Sequence, residues 1–282
     1  MAEITAKQVK ELRDITGISM MKCKKALVDT NGNLDEAVEL LRKQGLKTAE
    51  KKKDRDVKDG KVSIYTKDGK TAIVELSCET DFVARNEDFN KLMDEIGATL
   101  LENGTCEDMS GLVLKDSRKA LSQAITDAIA HIGENIEFRR ADLFEGPVVG
   151  SYLHHNDKIG VVVEFTGDAQ ASGNDDVQQL AKDICQHIAF TSPAYLKPEE
   201  VPADQIEKEK DIFRDQVKDK PEQIVEKILA GKINKYYEEV CLQEQAFIKD
   251  DKKKIKDVVV ETAKNTGLEL SLNRFLRYEV GK

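Results

Sequence analysis

The residues that could do chemistry are few in this sequence and are not grouped. The histidines are His131, His154, His155 and His187, and none stands in a zinc-protease, hydrolase, phosphate-loop or dinucleotide motif. Cys185 and His187 lie two positions apart on a predicted helix, where their side chains point in different directions and form no nucleophile–base dyad. We therefore expect no catalytic residue, no metal site and no cofactor. An enzyme that uses Cys185 or His187 is an alternative that this spacing does not support.

The remaining histidines and the cysteines have simple structural interpretations. His131 lies late in an apolar helical pattern, which favours a packed core histidine over a ligand. His154 and His155 end a predicted strand just before a turn, which is typical of an exposed hairpin tip. The five cysteines are far apart and lack metal-ligand spacing, which predicts reduced thiols in a cytosolic compartment.

Charge and hydropathy restrict the kind of partner. The net charge of −9 argues against nucleic acid, because neutralising phosphates requires a basic surface. We interpret the short lysine clusters Lys51–Lys53 and Lys252–Lys254 as solvated linker and helix surface. The sequence has no apolar run of about 18 residues, and its acidic N-terminus does not resemble a signal or transit peptide. We expect a cytoplasmic protein without membrane contact.

Two short segments are better explained by binding than by catalysis. Met20 and Met21 are adjacent on a short predicted helix, so either both lie in a wide core face or at least one is available to a partner. The segment Thr80–Val83 lies where a predicted strand ends and a helix begins. Phe82 is either a hydrophobic plug at this turn, which the sequence alone favours, or an exposed wedge beside a carboxylate.

The first elements that must position these residues are three short helices. Thr5 and Gln8 predict a capping box for a helix that begins near Ala6, and Asn33 is expected to cap the third helix. Gly45 is expected to close that helix. Residues 1–46 are thus predicted to form a small bundle, and the charged residues 47–61 a linker that tethers it.

Beyond the linker, a hairpin–helix–helix–strand order occurs twice. Residues 62–147 form the first copy, and residues 148–203 with 241–282 form the second, whose last helix is predicted at Lys252–Lys264. The two predicted closing strands resemble each other in GENIEFRR (Gly133–Arg140) and GLELSLNR (Gly267–Arg274). We therefore expect an α+β fold with a duplicated core of two subdomains.

Residues 204–240 are predicted to be an insertion in the second copy. Two amphipathic stripes joined by a turn at Lys218–Pro221 predict an antiparallel coiled-coil hairpin that projects from the core. Gly231 is expected to weaken its second helix by about 1 kcal/mol. An exposed helical hairpin can form a homodimer or contact a partner, and the sequence does not distinguish these uses.

Long segments in the same order over nearly the whole chain resemble signatures of the elongation factor Ts family. They are VKELRDITGISMMKCKKAL (Val9–Leu27), NGNLDEAVELLRKQG (Asn31–Gly45), TDFVARNEDF (Thr80–Phe89), HIGENIEFRR (His131–Arg140) and LNRFLRYEVG (Leu272–Gly281). The resemblance implies a ubiquitin-associated-like N-terminal bundle, a duplicated α+β core and an inserted helical hairpin. Many members of the family continue into a C-terminal helical module, whereas this sequence stops at Lys282.

The resemblance also implies an activity and a partner. Members of the family are guanine-nucleotide exchange factors that promote GDP release from elongation factor Tu during translation elongation, without a cofactor. An adaptor whose bundle binds a partner helix, without exchange activity, is the alternative from another class.

The docking residues of the family carry over onto matching positions. On the bundle they are Arg13, Met20 and Met21, and in the core they are Thr80, Asp81, Phe82 and Val83. The resemblance implies that Asp81 and Phe82 intrude near the Mg²⁺ and phosphate site of the partner. His187 follows from a looser match over CQHIAF (Cys185–Phe190).

Overall fold

The structure, a computed structural model, describes residues 4–217 and 221–282. These residues divide into two compact units. The first unit extends to Lys67 and continues with Ala72–Leu143 and Glu279–Lys282, whereas the second contains Asp68–Thr71 and Phe144–Tyr278. Each unit combines helices with a three-stranded sheet, which confirms the predicted α+β class.

The first unit begins with three helices. They are α1 (Ala6–Thr16), α2 (Met20–Asp29) and α3 (Leu34–Lys52). The predicted capping box is present, since Thr5 and Gln8 exchange side-chain and backbone hydrogen bonds. The Asn33 side chain accepts hydrogen bonds from the backbone at the start of α3, as predicted. A small core of apolar side chains joins the helices: Val9, Leu12, Cys23, Ala26, Leu27, Ala37 and Leu41.

The prediction that Gly45 closes the third helix is wrong. Helix α3 passes through Gly45 and ends at Lys52, so residues 47–52 are helical and do not belong to a linker. A Cβ atom built on Gly45 would lie 3.1 Å from the Cβ of Ala130, in the helix α6 (Leu121–Ile132). Glycine therefore permits two helices to approach closely, and this packing outweighs its weak helix propensity. The bundle is packed on the rest of its unit rather than tethered to it.

The sheet of the first unit has the strand order β1-β2-β3. Its strands are β1 (Asp59–Lys67), β2 (Lys70–Cys78) and β3 (Ile136–Glu145). Asp68 and Gly69 join β1 to β2 with positive φ angles of 52° and 78°, the conformation of a tight hairpin turn. The connecting segment between β2 and β3 contains α4 (Asp81–Ala84), α5 (Glu87–Asn103) and α6. Apolar residues of β2, α5 and α6 share one core.

The second unit repeats this plan with the strand order β4-β5-β8. Its sheet contains β4 (Val148–Leu153), β5 (Ile159–Gly167) and β8 (Leu270–Glu279). Strands β4 and β5 are antiparallel, with Val148 opposite Phe165 and Leu153 opposite Gly160. The helices α7 (Asp175–Thr191) and α10 (Ile255–Thr266) belong to this unit. Short 3₁₀ helices in the chain include Met109–Gly111, Ala169–Gly173, Pro198–Glu200 and Leu242–Glu244.

One predicted helix begins later than expected. Residues Lys252–Lys254 lie in the strand β7 (Asp250–Lys254), which pairs with β6 (Ala246–Phe247), and α10 begins at Ile255. The lysines lack the apolar alternation of a buried strand, so the sequence does not reveal the pairing. The backbone hydrogen bonds between β6 and β7 decide the conformation.

The predicted insertion forms two helices that contact each other, α8 (Ala203–Val217) and α9 (Glu222–Val240). Residues 218–220 of the predicted turn lie outside the described residues. At the base of the pair, Gln205 accepts a hydrogen bond from the Tyr195 hydroxyl at 2.7 Å and donates one to the Tyr236 hydroxyl at 2.6 Å. The coiled-coil character and the ubiquitin-associated likeness of the bundle stay predictions.

Both sheets bury a glutamate that forms an ion pair with a partly exposed arginine of the closing strand. In the first unit the Nε of Arg140 lies 2.6 Å from Oε2 of Glu75, a residue of β2 that is 1% exposed. In the second unit the Nε of Arg274 lies 2.6 Å from Oε2 of Glu164, a residue of β5 that is 8% exposed. Arg140 and Arg274 are the last residues of the two similar closing segments. This equivalence is what an internal duplication would produce.

Removing one partner of this pair is expected to destabilise the first unit. The change Arg140→Ala leaves the Glu75 carboxylate buried without its cation. We expect the free energy of unfolding to decrease by about 3 kcal/mol. Arg139→Ala is the matched control, because Arg139 is 48% exposed in its ion pair with Glu137 and a surface pair contributes about 0–1 kcal/mol. Urea unfolding of both variants measures the difference, and equal losses would contradict a special role for the buried pair.

The close approach at Gly45 makes a second prediction. Gly45→Val adds side-chain atoms against Ala130, and we expect a loss of about 1–3 kcal/mol in the free energy of unfolding from overpacking. Gly231→Val in α9 is the control, because among the described residues no atom outside the local helix backbone lies within 4 Å of a Cβ built there. Thermal melting should show a marked decrease only for Gly45→Val, and an unchanged melting temperature would mean that α3 is not closely packed on α6.

Candidate functional site

The segment Thr80–Val83, here called the corner, connects β2 to the one-turn helix α4 in the first unit. The Thr80 hydroxyl lies 3.1 Å from both carboxylate oxygens of Glu134 and donates to that group. Just before it, the Glu79 carboxylate accepts a hydrogen bond from the backbone N–H of Asn135 at 2.6 Å. These contacts fix the corner to the loop that precedes β3.

Phe82 is exposed, so the plug interpretation is wrong. The residue is 79% exposed, whereas the neighbouring Val83 and Ala84 are 6% and 7% exposed and belong to the core. A single helical turn places neighbouring side chains on different sides, and burial of Val83 and Ala84 directs Phe82 outward. The corner therefore presents a large apolar ring to solvent from a backbone that is fixed on both sides.

Asp81 supplies a carboxylate next to this ring. Its Oδ2 lies 3.0 Å from Nη2 of Arg85, and the two side chains are 44% and 78% exposed. A surface ion pair of this kind contributes little free energy, so Asp81 can exchange Arg85 for another cation at low cost. The chemistry that the corner offers is an apolar contact beside an available negative charge.

The bundle presents a second apolar surface in the same unit. Met21 is 77% exposed and Met20 is 41% exposed, while the core positions of α2 are occupied by Cys23, Ala26 and Leu27. The interpretation that places both methionines in the core is therefore wrong. Arg13, on α1, is also exposed. We call Arg13, Met20 and Met21 the bundle surface.

His187 is placed differently from the other predicted site residues. It lies on α7 in the second unit, its residue surface is 0% exposed, and its Nε2 lies 2.8 Å from Oε1 of Gln245. Burial lowers the pKa of His187, so the ring is neutral at neutral pH. A ring without exposed surface cannot itself touch a partner.

The other candidates for chemistry have structural surroundings. His131 is not a core histidine, because its Nε2 lies 2.9 Å from Oδ2 of Asp88 and the side chain is 35% exposed. His154 follows β4 and lies 2.9 Å from the Tyr152 hydroxyl at the predicted hairpin tip. Cys185 is buried, and burial raises the pKa of its thiol, which disfavours the thiolate that a nucleophile requires.

Within residues 4–217 and 221–282, no three or more histidine, cysteine, aspartate or glutamate side chains form a group that could hold a metal ion. In the same part of the chain, no helix is both long and apolar enough to cross a membrane.

These features correspond to a protein that contacts another macromolecule through its surface. In the first unit, a fixed corner and the bundle surface expose one phenylalanine and two methionines, side chains that suit interface cores. A single exposed apolar side chain is common on protein surfaces, whereas two adjacent methionines and a ring held outward by a fixed corner offer contact surface to a partner.

Comparison with known proteins gives the family. A model described as Elongation factor TS matches residues 79–282. An elongation factor Ts of Clostridium botulinum (strain Eklund 17B / Type B) is 45% identical over 99% of this chain and 93% of that protein. One of Prosthecochloris aestuarii is 40% identical over the full length of both chains, and one of Nautilia profundicola is 41% identical over 100% and 94%. The chain belongs to the elongation factor Ts family, and thus to the elongation factors of protein biosynthesis.

Sequence reasoning missed two residues around these sites. Glu134, which holds Thr80, lies inside the segment HIGENIEFRR, but its partner is 54 positions away and no local pattern indicates the contact. Phe190 is 81% exposed at the end of α7, although the segment CQHIAF contains it. Its position in an apolar helical pattern conceals its exposure.

Burial of His187 predicts a pH dependence of stability. Because the folded-state pKa lies below the ordinary value of 6.5, the unfolded chain binds a proton first as the pH falls. Its contribution is present above pH 6.5 and is lost as the pH falls toward the folded-state pKa. The stability advantage of the wild type over His187→Gln should therefore decrease between pH 7.5 and pH 5.

Urea unfolding of both proteins at the two pH values measures this change. Every other titrating group is shared by the pair, so the difference isolates His187. An advantage that is constant with pH would show that His187 does not titrate below its ordinary value.

Proposed function

We propose that this protein is a guanine-nucleotide exchange factor for elongation factor Tu, acting in the cytoplasm without a cofactor and without catalysing a chemical step. The observation that carries the proposal is the 79% exposure of Phe82 on a fixed corner, beside the Asp81 carboxylate. Membership of the elongation factor Ts family supplies the partner.

The proposed mechanism needs no acid, base or nucleophile. A GTPase holds GDP through a phosphate-binding loop and a Mg²⁺ ion. Insertion of the Phe82 ring would displace part of that site, and burying a phenyl side chain contributes about 1.5–3 kcal/mol. The Asp81 carboxylate would compete for the Mg²⁺ ion and its ligands. It would lose only its exposed ion pair with Arg85, which contributes little free energy. Both effects stabilise the nucleotide-free partner.

Rigidity of the corner matters for this mechanism. If the corner yielded on contact, Phe82 would turn aside and the partner would keep its geometry. The hydrogen bond from Thr80 to Glu134 and the burial of Val83 oppose that movement. On contact, the metal and phosphate site of the partner would therefore change its geometry, while the corner keeps its own.

The bundle surface is proposed to bind the nucleotide-binding domain of the same partner. Exposed methionines adapt to an irregular apolar surface, and Arg13 adds a positive charge. Coupling between the two ligands of the GTPase is reciprocal. Bound GDP or GTP therefore weakens the affinity of the GTPase for the exchange factor by the same factor by which the exchange factor weakens its affinity for the nucleotide. Nucleotide binding then releases the exchange factor for another cycle.

The Phe82→Ala variant tests the proposal most directly. Thermal stability should be nearly unchanged, because the ring contributes little to the core. The rate of GDP release from elongation factor Tu should fall by about tenfold or more, since about 1.4 kcal/mol of lost contact corresponds to a factor of ten. Stopped-flow fluorescence with labelled GDP measures the rate.

Phe89→Ala is the matched control for stability. Phe89 is 0% exposed on α5, so its truncation should cost about 3–5 kcal/mol and affect exchange only through unfolding. Normal exchange by folded Phe82→Ala would refute the role of the ring. If the protein is instead an adaptor without exchange activity, the wild type should bind elongation factor Tu and leave the rate of GDP release unchanged.

A further inference from the structure

Asn135 is a buried polar residue of the first unit. It is 2% exposed and lies in the loop between α6 and β3. Its side-chain Nδ2 donates to the backbone carbonyls of Arg55 at 3.1 Å and Lys53 at 3.4 Å, and to Oε1 of Glu137 at 3.3 Å. Buried polar groups are normally hydrogen-bonded, but two of these acceptors lie 80 and 82 positions earlier in the chain. The Asn135 amide therefore joins two distant segments.

The first of these segments is the end of α3. The last carbonyls of a helix have no partner within the helix and need another donor. Helices α1 and α6 end at Gly17 and Gly133, which adopt the left-handed conformation with φ angles of 70° and 92°. Helix α3 ends instead at Lys53, which keeps a right-handed φ of −51°. Its end is held by the Asn135 amide.

The second segment is the end of β2, which leads into the corner. The backbone N–H of Asn135 donates to Glu79 at 2.6 Å, and Glu79 also lies 3.3 Å from Nη1 of Arg55. The preceding residue, Glu134, accepts from the Thr80 hydroxyl at 3.1 Å. Two consecutive residues of the loop thus hold two consecutive residues at the end of β2. The same loop contacts the end of α3 and the start of the corner.

Thr80 contributes to this anchor and not to the helix that it precedes. It occupies the N-cap position of α4, where a threonine oxygen usually accepts a hydrogen bond from a backbone N–H of the first turn. Among the described residues, the Thr80 side chain accepts no such bond, and its hydroxyl donates to Glu134. The local stability of α4 is thus secondary to the attachment of the corner.

We propose that Asn135 is a positioning residue for nucleotide exchange, which couples the bundle surface to the corner. The inference rests on the proposed function and deepens it. The bundle surface lies on α1 and α2, whose apolar core includes residues of α3. Asn135 joins the end of α3 to the strand end from which the corner begins. When the bundle surface binds the GTPase, Phe82 is thereby held in place against the Mg²⁺ and phosphate site.

This coupling determines the ratio of two affinities. A corner that is held in place competes with GDP and Mg²⁺, so the protein binds the nucleotide-free GTPase more tightly than the GDP-bound GTPase. A corner that yields would leave bound GDP undisturbed, and the two affinities would become similar. Loss of the Asn135 amide should therefore lower the ratio. A purely structural defect would lower the amount of folded protein and leave the ratio unchanged.

The test uses the full-length protein and elongation factor Tu, with and without GDP. Titration of Asn135→Ala should give a ratio of affinities that is lower than the wild-type ratio by about fivefold or more. The maximal rate of GDP release should fall as well. Thr99→Ala is the matched control, because Thr99 is 0% exposed in the same unit and its hydroxyl bonds the backbone of Glu95 and Lys115. It should lower the melting temperature without changing the ratio.

Glu79 provides a second pair of variants, which decides the question if Asn135→Ala does not fold. Glu79→Ala removes the acceptor of the Asn135 N–H and should lower the ratio. Glu79→Gln keeps an oxygen at this position and should restore most of the ratio. A double-mutant cycle with Phe82→Ala shows whether the effect acts through the ring. In the Phe82→Ala background, Asn135→Ala or Glu79→Ala should change the ratio little.

The outcomes are distinguishable. If the wild type does not accelerate GDP release, the proposed function fails, and this inference fails with it. If the wild type accelerates release and the ratio is unchanged in both Asn135→Ala and Glu79→Ala, only this inference fails. Equal losses in the two affinities, or effects that add to those of Phe82→Ala, would show a general structural role and overturn it. Melting curves verify that each variant is folded under the binding conditions.

Discussion

The pairing of a buried carboxylate with one arginine joins the central strand to the closing strand in both sheets. Glu75 and Glu164 lie in the central strands β2 and β5, where an ionised carboxylate without a cation would be costly. Arg140 and Arg274 reach them from the closing strands β3 and β8. In each sheet the last strand lies beside the central strand. In the second unit this holds even though the helices α8 and α9 intervene before β8.

The same plan leaves the segments between the strands free to expose apolar side chains. The corner follows directly from β2, and its buried Val83 and anchored Thr80 leave Phe82 outside. In the second unit, α7 follows β5 and ends with Phe190 exposed. The exposed rings of Phe82 and Phe190 add little to the apolar area that folding buries. The stability of each unit therefore depends on the apolar side chains of its sheet and helices.

Much of this architecture follows from local sequence signals, while the site depends on tertiary contacts. The capping box at Thr5 and the cap at Asn33 depend on neighbours within a few residues, so both were predictable. Gly45 was misread because Ala130, not the local sequence, determines the conformation there. Phe82 was ambiguous because plug and wedge share one sequence pattern, and burial of Val83 decides between them. His187 matched a family position, but only its hydrogen bonds reveal an interior role.

Because α3 is continuous, it affects the distance between the bundle surface and the corner. The helix extends for 19 residues, about 28 Å, and packs on α6, so the bundle surface and the corner belong to one compact unit. A flexible coil over residues 47–61 would instead let their separation vary with a root-mean-square span of about 20 Å. Under the proposed function, engagement of one surface would present the other at a high effective concentration. Under that function, a GTPase would then have to fit both surfaces at a single spacing, which would discriminate against GTPases of other dimensions.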